Sequence, residues 1–222
     1  MLKKSLLSCF IILVCGSFVE AIPTVGGPSG LIEMPVAESV EYRKFEFGID
    51  YQVSGQKDGD QGAHSYKFNL GTFKNFELGF VGGTVPTEGV FINAKYYLMS
   101  DDERFPVTIA VGLEKLGSHH DTSAYLVSSK RFDGGVNAHF GFEATFRETV
   151  NASAMLGMEY MIDERFSLLA DVTGEKKDYS LNLGMRYYFE EDIVLRLYII
   201  DFNKAESDDM QVLFGISFAR FI

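Results

Sequence analysis

The chain has 222 residues, with 20 basic and 31 acidic side chains and a net charge of −11. That balance offers no basic face for phosphate, which excludes nucleic acid as a partner. Its two cysteines, Cys9 and Cys15, lie six positions apart near the start, so a disulfide framework is excluded as well.

The first 21 residues read as a secretory signal. Lys3 and Lys4 give a basic start, and Leu6 to Val14 is an apolar run interrupted only by Ser8 and Cys9. Cys15, Gly16 and Ser17 break the run, and Val19-Glu20-Ala21 offers a small-residue cleavage site. The run is too short and wrongly flanked for a spanning helix. The alternative, a lipid on Cys15, would place Val14 before the cysteine, where it fits poorly. Cleavage after Ala21 removes both cysteines together with Lys3, Lys4 and Glu20, leaving 201 residues with 18 basic and 30 acidic side chains, a net of −12. Such a chain has no thiolate for metal or nucleophilic chemistry. No later stretch approaches a spanning apolar helix, so any membrane crossing must use strands.

Residues 22–40 do not share the alternating pattern of the rest of the chain. Gly26, Gly27 and Gly30 flank Pro28 and Ser29, and Leu31, Ile32 and Met34 come after. Two readings stand for this flexible, moderately apolar stretch: a periplasmic lead-in, or a plug folded into the lumen of the barrel that the next residues predict.

From residue 41 to 222 the helical period is nearly absent and period-two alternation recurs. Phe45, Phe47, Ile49, Tyr51 and Val53 oppose Glu46, Gly48, Asp50 and Gln52. Tyr66 to Leu70, Phe76 to Phe80, Val90 to Leu98, Val107 to Glu114 and Val136 to Phe146 repeat this grammar, with Phe91 and Tyr97 intruding on a polar phase. Ser123 to Arg131 is ambiguous, because neither phase is cleanly apolar. Ala152 to Tyr160, Phe166 to Val172, Tyr179 to Phe189, Ile193 to Ile199 and Val212 to Phe218 complete about twelve strands. Polar turns separate them: Ser54 to Gly62, Lys74-Asn75, Asp133-Gly134-Gly135, Asp163-Glu164, Glu175 to Asp178, Glu190 to Asp192 and Asn203 to Asp209. No βαβ spacing appears. The expected fold is all-β, a single antiparallel transmembrane β-barrel with both chain ends on the periplasmic side and the first loop outside.

Alternation alone also suits a soluble sandwich or a lipid-binding barrel. Two features favour a membrane. The polar phase carries Gly48, Gly71, Gly79, Gly112, Gly141, Gly157, Gly184 and Gly215, which suits a crowded concave lumen better than an open water-facing surface. The apolar phase is rich in Phe and Tyr and poor in charge, as an outward band with aromatic girdles requires, although there is no Trp. The chain also ends in an amphipathic strand, Phe218-Ala219-Arg220-Phe221-Ile222. The implied partners are outer-membrane lipid and the barrel-assembly machinery.

In this phase the lumen-facing candidates are Glu46, Asp50, Lys67, Glu77, Lys95, Glu114, His139, Glu143, Glu159, Asp171, Arg186 and Arg196. Unpaired charges are costly in a low-dielectric space, so these should pair across strands or meet water. A barrel of this size lies between those filled by side chains and those with a water channel. An acidic path would favour cations or neutral sugars over anions. No catalytic, metal or cofactor site is expected. His119-His120-Asp121-Thr122-Ser123 lies in one turn, where adjacency does not make a base–nucleophile pair, and no further ligand stands at a metal spacing. Gly26-Gly27 and Gly82-Gly83 lack the strand-to-helix context of a phosphate cradle.

The phrase Gly27-Pro-Ser-Gly-Leu-Ile-Glu-Met-Pro-Val-Ala37 resembles the opening of the YjbH-like outer-membrane proteins associated with exopolysaccharide production. Asn93 to Leu98, Pro106 to Gly112 and Tyr125 to Lys130 are similar to later phrases of that family. The resemblance implies an outer-membrane barrel that takes part in export or assembly of surface polysaccharide, with polysaccharide as a partner. Larger members of that family are several times longer, whereas this chain has room for one barrel. The alternative is a structural barrel that anchors envelope partners through its loops.

Overall fold

The computed structural model describes residues 22–54, 62–84, 86, 89–99, 106–118, 121–175, 178–190, 192–203 and 210–222. Residues 1–21 with the expected signal and Cys15, most of the first loop, His119-His120, Lys176-Lys177, Glu191 and residues 204–209 lie outside them.

Twelve strands form among these residues: β1 (Lys44–Ser54), β2 (Ala63–Phe73), β3 (Phe76–Gly83), β4 (Phe91–Met99), β5 (Thr108–Leu116), β6 (Thr122–Phe132), β7 (Val136–Phe146), β8 (Val150–Asp163), β9 (Phe166–Glu175), β10 (Asp178–Glu190), β11 (Ile193–Ile200) and β12 (Gln211–Phe221). Each pairs antiparallel with its sequence neighbours, and β1 pairs with β12 from Lys44↔Phe221 to Ser54↔Gln211. The sheet is therefore a closed barrel without an edge. Closure satisfies every strand's backbone within the wall, which is what a lipid environment demands.

The two faces divide as period two requires. Phe47, Ile49, Leu126, Phe140, Phe142, Leu156, Phe214 and Ile216 are exposed on the outside. Exposed aromatics gather towards both ends, with Phe73, Phe132, Tyr160, Phe189 and Phe221 near the chain termini and Tyr51, Tyr66, Phe146 and Tyr179 at the opposite end. An apolar band of this extent is a liability in water and a match for lipid between two interfacial belts.

The hydrophobic core lies inside the barrel and is built around residues 22–40. Ile22, Leu31, Ile32, Met34, Val36, Ala37 and Val40 are all buried there. The segment folds back on itself through bridges Pro23↔Ser29 and Gly30↔Pro35, with the Gly30 amide donating to the Ile22 carbonyl at 2.8 Å. Leu31, Ile32 and Val36 pack on Leu169, Tyr198, Ile200 and Leu213 of the wall. Met34 and Ala37 pack on Ala110, Tyr125, Val127 and Met155. This explains β6, whose phase is ambiguous in sequence: Tyr125 and Val127 face inward as part of that core, while Leu126 faces out.

Glycines in the wall make the space. A Cβ at Gly157 would overlap Leu31 Cδ1, and one at Gly184 would stand 3.1 Å from Ile32 Cδ1 and closer still to the Tyr198 ring. Neither position needs a special backbone; both need the missing side chain.

Candidate functional site in the barrel lumen

An irregular segment inside a barrel carries backbone N–H and C=O groups that no strand can pair. Leaving such groups bare is costly, so the wall has to supply partners. The inward side chains do so with a division of labour set by charge.

Two carboxylates collect amides. Asp171 Oδ2 accepts from the backbone N–H of Ile32, Glu33 and Met34 at 2.8, 2.9 and 3.1 Å. Three successive amides turned onto one oxygen form a concave anion-binding nest. Asp171 Oδ1 accepts from Asn182 Nδ2 at 2.7 Å, which holds the carboxylate in place. Glu77 works similarly on the other side of the lumen. Its Oε1 accepts the Ser29 amide at 2.9 Å, and its Oε2 accepts the Ser29 hydroxyl at 2.5 Å and the Val40 amide at 2.9 Å.

Three cations collect carbonyls. Lys95 Nζ donates to the carbonyls of Ser29, Val36 and Glu38 at 2.9, 3.3 and 2.6 Å, and also bonds the Ser29 hydroxyl. Arg186 Nη2 reaches the Gly30 and Leu31 carbonyls at 2.6 and 2.8 Å, while its Nε donates to the Tyr198 hydroxyl at 2.8 Å. Arg196 Nη1 donates to the Pro23 carbonyl at 2.8 Å.

These cations are themselves countered. Lys95 lies 3.3 Å from Glu77, its register partner on the adjacent strand. Arg186 lies 3.7 Å from Glu159, reaching past β9 to β8. Asp50 is bracketed by Lys67 on β2 and by Arg196 on β11 at 2.6 Å. That last contact crosses β12 over Gly215, where a Cβ would meet both Asp50 and Arg196. Buried pairs of this kind are stable when the remaining donors are also satisfied, and the segment's carbonyls accept from Lys95, from Arg186 Nη2 and from Arg196 Nη1.

The other inward candidates complete the picture. Glu46 is buried near the start of β1. His139 Nδ1 and Ser129 Oγ share a hydrogen bond at 2.8 Å, and Ser129 Oγ also accepts the Ala37 amide at 3.0 Å. Glu114 and Glu143 do not touch the backbone of residues 22–40 through any hydrogen bond. They line a cavity of about 460 Å³ together with Val25, Gly26 and Glu33, at the barrel end away from the chain termini.

Several wall residues that hold the segment are uncharged and are not among the candidates that the sequence offers. Asn69 Nδ2 donates to the Gly27 carbonyl at 2.9 Å, and Asn93 Nδ2 to the Gly26 carbonyl at 3.1 Å. Asn182 Nδ2 and Thr173 Oγ1 both donate to Glu33 Oε2, at 2.8 and 3.2 Å. Their inward phase is the signal that the sequence carries for them.

No family model and no curated protein matches the chain. Solved structures do share the fold. The KdgM porin, solved in complex with disordered oligogalacturonate, superposes with a TM-score of 0.56 at 9% identity, over 78% of this chain and 98% of that one. The NanC porin gives 0.55 at 12% identity, over the same shares. An outer-membrane channel from Pseudomonas putida F1 gives 0.52 at 11% identity, over 83% of this chain and 98% of that one. The fold is that of bacterial outer-membrane channel barrels. Together with the apolar exterior and its two aromatic belts, it is the fold of a membrane-spanning barrel.

Proposed function

We propose that this chain is an outer-membrane channel for neutral or cationic oligosaccharide, closed by its own residues 22–40 and serving the export or assembly of surface polysaccharide. The observation that carries the closed channel is the capture of that segment's backbone by Asp171, Glu77, Lys95, Arg186 and Arg196. A wall that holds the segment's backbone through polar groups can exchange those bonds for water when the segment leaves. A purely apolar wall could not. The polysaccharide role rests on the resemblance of residues 27–37 to YjbH-like proteins.

The choice of sugar follows from charge. The cavity above the segment is lined by Glu33, Glu114, Asp121 and Glu143 against Lys115, so an anionic chain would be repelled at the entrance. Barrel-assembly machinery and outer-membrane lipid are the partners that a barrel of this kind requires.

Liposome swelling tests the proposal. Proteoliposomes carrying a chain that lacks residues 22–36 should admit neutral oligosaccharides faster than those carrying the full chain, and should admit oligogalacturonate poorly. Equal flux of neutral and anionic sugars would remove the assigned selectivity.

A second reading has its own observation. The middle of the lumen is filled by packed side chains such as Leu31, Ile32 and Met34, all at most 1% exposed, which also suits a barrel that only anchors envelope partners. Under that reading the shortened chain would lose stability without gaining sugar flux, and loop substitutions would abolish partner capture.

A further inference from the structure

The cavity at the end of the barrel away from the termini holds acidic groups that the plug does not use. Glu114 lines it, is only 7% exposed, and makes no hydrogen bond or ion pair with any described residue. Its carboxylate lies over the segment, 3.2 Å from where a Cβ at Gly26 would be. Glu143 lines the same cavity, two strands away. Between them runs β6, whose Ser123 stands opposite Glu114 and whose Tyr125 stands opposite Glu143. Both face inward and are buried, and neither hydroxyl has a hydrogen-bond partner among the described residues.

Asp121 at the rim is held by Arg147 at 2.7 Å, and Glu33 is held by Asn182 and Thr173. Of the two cations near Glu114, Lys95 is engaged by Glu77 and three carbonyls of the segment, whereas Lys115 lines the same cavity. A carboxylate this buried is costly without a counter-charge or donors. Among the described residues no cluster of three or more His, Cys, Asp or Glu side chains could hold a metal ion. An organic cation is a complement that would offset this cost. An ammonium group brings one positive charge and three donors, enough for both carboxylates and a neighbouring hydroxyl. Val25, Val81, Phe91, Pro35 and Met155 supply apolar wall for the body of such a ligand, in a cavity of a size usual for small molecules.

We propose that this vestibule is a binding site for a small polyhydroxylated amine of the amino-sugar class, with Glu114 and Glu143 receiving its ammonium group. The site exists with residues 22–40 in place, so it does not depend on the transport reading.

The test is calorimetric titration of the full-length folded barrel in detergent at pH 6 and low salt, with glucosamine and with glucose. The two sugars differ by an ammonium group in place of one hydroxyl. Glucosamine should bind saturably at one site, with glucose at least tenfold weaker. Glu114→Gln should weaken glucosamine at least tenfold. Glu143→Gln, at a less buried position, provides a second variant and should weaken glucosamine in the same direction. Equal binding of the two sugars, no binding of either, or full glucosamine affinity in both variants would overturn the assignment.

Discussion

Removing the Asp171 carboxylate should loosen the plug while leaving the wall intact. In Asp171→Ala the amides of Ile32, Glu33 and Met34 lose their common acceptor, and Asn182 loses one of its two carboxylate partners. Each buried hydrogen bond to a charged group contributes roughly 1.5–3 kcal/mol, so three would set an upper bound of about 5–9 kcal/mol. Part of that returns, because a buried carboxylate no longer needs to be desolvated and water can enter the space it leaves. Breaking one buried, hydrogen-bonded charge typically costs about 3–5 kcal/mol, and we expect that range for docking of the segment. At about 1.4 kcal/mol per tenfold, the population with residues 22–40 undocked should rise between about a hundredfold and a few thousandfold. The readout is maleimide labelling of Met34→Cys, a fully buried position, in a chain with Cys9→Ser and Cys15→Ser. Under conditions where opening is fast relative to labelling, the labelling rate should rise by the same factor. Asp171→Asn keeps one acceptor oxygen and should fall between. An unchanged labelling rate in Asp171→Ala, with the barrel folded, would refute the claim that the amide nest holds the segment.

Three further substitutions probe other parts of the account. Gly157→Val puts atoms where Leu31 Cδ1 lies, and overpacking of about 1–3 kcal/mol should speed Met34→Cys labelling without preventing barrel formation. Arg186→Lys keeps the charge but loses the fork that reaches the Gly30 and Leu31 carbonyls and the Tyr198 hydroxyl, so labelling should rise at least tenfold. Phe142→Arg acts on the outside: Phe142 is 54% exposed near the middle of β7, packed edge-on against Phe140. Arginine near the bilayer midplane costs about 2–4 kcal/mol, which urea titration of the folded barrel in bilayers should detect. No loss of stability there would mean that this face does not meet lipid.

The phase of eleven of the twelve strands was legible because period two writes itself directly into residues such as Phe45 to Val53, and the sequence neighbours pair without exception. β6 was not, and the reason is physical. A wall that encloses a folded segment must present apolar groups inward wherever that segment is apolar, so Tyr125 and Val127 cancel the alternation around Leu126. Inward phase likewise identified Asp171, Lys95 and Arg186 as facing the lumen, but alternation gives a face and never a partner. That Asp171 binds amides 137 to 139 positions away, while Glu114 binds none, depends on how residues 22–40 fold back at Gly30, which no local pattern encodes. The uncharged anchors Asn69, Asn93 and Asn182 shared the same phase and lacked only a net charge to draw attention. The lumen's glycines were readable as a sign of crowding, whereas the crowding groups, Leu31 at Gly157 and Arg196 at Gly215, emerged only in three dimensions.

Single-channel conductance in planar bilayers tests the central claim most directly, comparing the full chain with one lacking residues 22–36, each first shown to be folded by its shift in gel migration on heating. The account predicts that the full chain is closed most of the time and that the shortened chain conducts steadily, with preference for cations. A folded, shortened barrel whose conductance equals that of the full chain would contradict it.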